Sequence, residues 1–69
     1  MKISARNILK GKISEIVKGA TTSHVTIDIG SGVIVTASIT NEAVADLQLE
    51  KGKQAYAVIK ASDVMVGID

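Results

Sequence analysis

Ser23-His24-Val25-Thr26-Ile27-Asp28-Ile29-Gly30-Ser31-Gly32-Val33-Ile34-Val35-Thr36-Ala37-Ser38-Ile39 is the stretch that decides the fold. Val25, Ile27 and Ile29 share one parity, and His24, Thr26 and Asp28 share the other. Period two is the rhythm of a strand, in which successive side chains point to opposite faces. Gly30-Ser31-Gly32 interrupts it with two glycines in three residues, the composition of a tight hairpin. Val33, Val35, Ala37 and Ile39 then resume the alternation. Ile34 falls on the opposite face, a hint of a second buried side. The reading is two antiparallel strands, Ser23–Ile29 and Val33–Ile39, joined by a tight turn.

Working outward toward the N-terminus, a first strand is expected from Ala5 to Val17. Leu9, Ile13 and Val17 share one parity, with Lys10, Lys12 and Ser14 on the other. Ile8 and Ile16 break the pattern; a long strand with such breaks carries a bulge or uses its second face against a partner. Gly11 suits the bend a small barrel needs. Lys18-Gly19-Ala20-Thr21-Thr22 is a turn, in which Gly19 can take positive φ at no steric cost. Toward the C-terminus, Thr40 is an N-cap for a helix over Asn41–Leu47, with Glu42 complementing its dipole and Ala43, Val44 and Leu47 on one side. So short a helix must lie on the sheet to persist. Glu50-Lys51-Gly52-Lys53 turns the chain into a fourth strand, Gln54–Lys60, apolar on both faces. Ala61-Ser62-Asp63 breaks it, and Val64–Ile68 is expected to form a fifth. The order is that of an all-β, small five-stranded OB-like barrel with one short helix between strands 3 and 4.

Sixty-nine residues allow one domain. A chain of this size hides only about 60% of the surface its unfolded form exposes. There is no cysteine for a disulfide or thiolate site, one histidine, His24, and one aromatic, Tyr56. Yet 46% of the residues are apolar, more than so small a core can cover, and self-association is the remaining route to burial. Eight basic residues against seven acidic leave a net charge of +1. That gives no field for a polyanion, which argues against nucleic acid and anionic membrane as partners. No apolar run approaches the length of a membrane span. Arg6, Asn7, Lys10 and Lys12 interrupt any signal stretch. The chain reads as cytoplasmic.

Two short segments carry the candidate chemistry. Ser4-Ala5-Arg6-Asn7 offers a hydroxyl, a guanidinium and a carboxamide. Lys60-Ala61-Ser62 offers an ammonium and a hydroxyl. Small neighbours leave both backbones open. A tetrahedral oxyanion is held by such a set: hydroxyl and N–H donors in a shell, with cations to offset its charge. Arg6 suits either an oxyanion or a rim ion pair with an acidic neighbour. Lys60 suits either an anion or a solvated strand end, and Asn7 either a ligand or its own turn backbone. His24, alone on a polar strand face, reads as structural. Glu15, Asp28 and Asp63 are dispersed, so no paired carboxylates serve acid–base chemistry. No Ser-His-Asp set or phosphate loop is present, and Gly30-Ser31-Gly32 is too short for a dinucleotide fingerprint. An enzyme is not expected.

Met1-Lys2-Ile3-Ser4-Ala5-Arg6-Asn7, Leu9-Lys10-Gly11 and Ala57-Val58-Ile59-Lys60-Ala61-Ser62-Asp63-Val64-Met65 together resemble the molbindins, the small molybdenum–pterin-binding or Mop proteins. The resemblance spans essentially all of residues 1–69, read as one molybdate-binding domain. It implies an OB-like fold, capture of molybdate or tungstate without chemistry, no cofactor beyond that ligand, and a homohexamer built as a trimer of dimers. It implies a molybdate site lined by Ser4, Ala5, Arg6, Lys60, Ala61 and Ser62, the first three from one chain and the last three from another. Ala61 stands where some relatives carry a hydroxyl, so Ser62 or a backbone N–H must serve there. A second, weaker class of site near the threefold axis is lined largely by backbone in the family; Lys18, Gly19 and Ala20 are the candidates. Two other functions compete: a nucleic-acid-binding OB domain, disfavoured by one Tyr and the near-neutral charge, and a structural or regulatory interaction module that binds no anion.

Overall fold

The computed structural model describes all residues from Met1 to Asp69. In chain order it contains strands β1 (Asn7–Lys18), β2 (Thr22–Gly30) and β3 (Val33–Thr40), helix α1 (Asn41–Asp46), strand β4 (Gln54–Ile59) and a 3₁₀ turn over Ala61–Asp63. The strands form one antiparallel sheet in the order β3-β2-β1-β4. Strands β3 and β4 are its free edges.

The hairpin forms as its sequence demands. Ser31 and Gly32 take φ of 54° and 79°, the left-handed pair of a type I′ turn, between paired Gly30 and Val33. Asp28 Oδ1 accepts from the Gly30 N–H at 2.8 Å and fixes the entry to the turn.

The parity break in β1 is a bulge at Ser14. Ile13 pairs with Ile27, but Glu15 pairs with Thr26 and Ile16 with Val25. The extra residue swaps the faces beyond it. Ile16 therefore packs on the core, and Val17, expected inward, is 60% exposed. The Ser14 hydroxyl fills the bulge by bonding Thr26 Oγ1 at 2.7 Å. At Gly11 β1 passes so close to β2 that a Cβ would overlap the Asp28 carbonyl oxygen and the Ile27 side chain. Bulge and glycine together curl the sheet around its apolar face.

That face holds Ile13, Val25, Ile27 and Ala57, fully buried, with Ile16, Ile29, Val35, Ile39, Val44, Leu49 and Ala55 packed against them. Each buried Ile or Val contributes about 1.5–3 kcal/mol. Only five of 69 residues are buried, however, which is little to set against the entropy of ordering the chain.

Helix α1 begins as expected: Thr40 Oγ1 accepts from the Ala43 N–H at 3.0 Å. Its end differs. Leu47, expected on the core side, is 65% exposed, and Leu49 takes that role. Gln48 adopts φ 53°, with Gln48 N–H donating to Ala45 O and Leu49 N–H to Val44 O. This is a Schellman end, and it folds Leu49 back beside Val44.

Four strands stand where five were expected. Lys60 leads into the 3₁₀ turn, closed by Asp63 N–H on Lys60 O at 2.9 Å and Val64 N–H on Ala61 O at 3.3 Å. Val64–Ile68 then joins no ladder. Met65 and Ile68 are 94% and 96% exposed. The sheet has two free edges, but this apolar segment pairs with neither.

Candidate functional site

Antiparallel pairing sets Asn7 opposite Ile59. The Asn7 Nδ2 group donates to the Ile59 carbonyl at 3.2 Å, so Asn7 ties the two strand ends together rather than its own turn. The segment before residue 7 and the segment beyond residue 59 must leave the sheet at the same end. Residues 4–6 and residues 60–62 of one chain therefore flank the same end of the β1–β4 pair.

Ala5 is half-buried; the other five are exposed. The one lysine whose ammonium is engaged is Lys53, on the Gln48 carbonyl at 2.9 Å. The Arg6 and Lys60 cations are left to solvent. The rim ion pair that competed for Arg6 does not form. Because the 3₁₀ turn starts at Ala61, the Ala61 and Ser62 N–H groups donate to no carbonyl of the chain. The end thus presents two cations, two hydroxyls and two free amides. That donor set suits an oxyanion.

The second candidate lies at the other end of β1. Lys18 closes the strand, and Gly19 and Ala20 form the exposed turn into β2. Gly19 does not use the positive φ open to it. Glycine is needed for space instead: a Cβ would sit 2.7 Å from the Thr22 carbonyl oxygen. Two residues that the sequence did not single out hold this turn. Ser23, 1% exposed, donates to Asn41 Oδ1 at 2.6 Å. Asn41 Nδ2 reaches the Gly19 and Ala20 carbonyls at 3.0 and 3.3 Å. The signal was there to read: Ser23 shares the inward parity of Val25 and Ile27, and a hydroxyl in such a slot requires a partner.

His24 is exposed between Val17 and Ser38. No group of three His, Cys, Asp or Glu residues could hold a metal ion. No helix is long and apolar enough to cross a membrane.

Residues 3–66 match the TOBE domain family. A probable molybdenum-pterin-binding protein of Haemophilus influenzae is 52% identical over 69 residues, covering 100% of both chains. Among solved structures, MopII from Clostridium pasteurianum in an apo form superposes with a TM-score of 0.91 at 39% identity, covering 97% of this chain and 100% of that one. ModG, described as a cytoplasmic molybdate-binding protein and solved with molybdate bound, gives a TM-score of 0.95 at 45% identity. It matches 100% of this chain, which spans 49% of ModG.

Proposed function

The chain belongs to the TOBE-domain family of molybdenum-pterin-binding proteins, and from that footing we propose that it captures molybdate, and stores it, without transforming it. The family is one of binding proteins rather than catalysts. The observation that supports the reading is the Asn7–Ile59 register, since the two candidate donor segments flank that pair. Molybdate oxygens accept from Arg6, Lys60, the Ser4 and Ser62 hydroxyls, and the Ala61 and Ser62 amides. The free Ala61 amide stands in for the hydroxyl that this position lacks. Tungstate, with the same shape and charge, fits the same shell. Sulfate is smaller and leaves some donors unpaired, so it binds less well. Lys18, Gly19 and Ala20 form a second, weaker oxyanion seat.

The protein works as a homo-oligomer, a hexamer assembled as a trimer of dimers. Supporting this is an apolar cleft between the two edge strands, lined by Val35, Ala37 and Ile39 on one side and Ala55, Ala57 and Ile59 on the other. The apolar tail Val64–Ile68 of a second copy covers that cleft and completes the OB-like barrel. The strand end carrying Arg6 and Lys60 then lies at a boundary between copies, where a neighbour adds donors to the shell. The compartment is the cytoplasm, the one ascribed to ModG.

Equilibrium dialysis of the assembled protein against molybdate, with sulfate as competitor, tests the reading. Saturable molybdate retention that equimolar sulfate does not displace is expected. Retention no greater than for chloride overturns it in favour of an interaction module.

A further inference from the structure

Ser23 is the one polar residue buried in the chain. Its hydroxyl is spent on Asn41, and Asn41 is spent on the turn. Three consecutive carbonyls point at this one residue: Gly19 O and Ala20 O accept from Asn41 Nδ2, and Thr21 O accepts from the Asn41 backbone N–H at 2.9 Å. In a planar trans peptide the C=O of one residue and the N–H of the next point in opposite directions. Drawing the Gly19 and Ala20 carbonyls toward Asn41 therefore turns the Ala20 and Thr21 N–H groups away from it. Both residues are exposed, and neither N–H donates to a carbonyl of the chain. The Gly19 N–H is already used, on Thr22 O at 2.8 Å. Two successive outward N–H groups beside Lys18 are donors that an anion could reach.

We propose that Asn41, latched by Ser23, is the positioning residue that presets the Ala20 and Thr21 amides as a seat for a tetrahedral oxyanion. The inference rests on the reading of Lys18, Gly19 and Ala20 as the second anion site. Without Asn41 the two peptides are free to rotate, and the anion must order them itself as it binds.

The test monitors backbone amide resonances of the assembled protein during titration with sodium molybdate, with sodium chloride holding ionic strength. In the parent protein the Ala20 and Thr21 amides shift and saturate. In Asn41→Ala their midpoint rises about tenfold, the scale of one net hydrogen bond. The Ala61 and Ser62 amides titrate as before, and the assembly keeps its size. Ser23→Ala moves the Ala20 and Thr21 midpoint in the same direction by less, and it decides the matter if Asn41→Ala does not assemble. An unchanged midpoint at Ala20 and Thr21 overturns the proposal. Equal loss at all four amides also overturns it, since that marks a general structural defect. If Ala20 and Thr21 are silent in the parent protein while Ala61 and Ser62 respond, the second seat itself is absent and the proposal falls with it.

Discussion

Arg6 and Lys60 share one strand end but offer different things to an anion. The Arg6 guanidinium is a planar fork that spans two oxygens, whereas the Lys60 ammonium is a compact charge on a flexible stem. Arg6→Ala and Lys60→Ala should each weaken molybdate binding by about 1.5–3 kcal/mol, the range for a lost charge-assisted bond. Dialysis on the intact assembly measures this, and unchanged affinity in both variants removes these side chains from the site. Arg6→Lys separates charge from geometry. If the fork matters, it recovers only part of the loss; full recovery means that charge alone suffices. Both residues are exposed and without an internal partner, so none of these changes should disturb the fold.

At the scale of elements, β1 organises the molecule, because it alone pairs with both β2 and β4. Gly11 lets it cross β2 at close range. Gly11→Ala drives a methyl group into the backbone of Asp28, which has no rotamer to yield. A loss of about 1–3 kcal/mol is expected in urea unfolding; wild-type stability would show that the crossing has slack. Helix α1 ends on a strained residue instead. Gln48 holds φ 53° where glycine is at ease. Gln48→Gly should raise stability by up to about 1 kcal/mol, since the bond from Lys53 goes to the Gln48 backbone and survives. A lower unfolding midpoint would mean that the Gln48 side chain contributes more than its backbone costs. These elements also mark what sequence could and could not disclose. The hairpin was legible because alternation and turn glycines are local. The bulge was visible only as a parity break at Ile16, since its place depends on which β2 residue each β1 residue meets. Leu47 and Leu49 were indistinguishable until the left-handed Gln48 decided which one turns inward. The two candidate motifs were legible as residues, but that they flank one end of the β1–β4 pair was not: it depends on the Asn7–Ile59 register, a contact between distant segments. Val64–Ile68 reads as a strand because its composition is that of one, while pairing requires an edge.

For the whole molecule, the open apolar cleft and the bare tail leave apolar surface that the proposed association would cover. The chain should sediment as an oligomer at micromolar concentration, and removal of residues 64–69 should dissociate it. A folded monomer of the full chain, or an intact oligomer without the tail, would each refute this arrangement. Ligand that binds the assembly and not separated chains stabilises it by about 2.7 kcal/mol per site at a hundredfold excess over Kd. Thermal melts of dilute protein should therefore rise with molybdate and much less with sulfate at matched ionic strength. Equal shifts would indicate generic anion binding. The bond from Asn7 to Ile59 spans 52 positions of the chain, and it has a consequence in time. Loop closure of that length costs more entropy than closing the local hairpin, so the hairpin is expected to form first. During synthesis Arg6 emerges almost at once, but it has no Lys60 beside it until nearly every residue has left the ribosome. An unfinished or prematurely terminated chain lacks Lys60, Ala61 and Ser62, and on the proposed site it should retain no molybdate in dialysis. On the proposed site, molybdate is taken up by finished, assembled chains and is not tied up on translation debris.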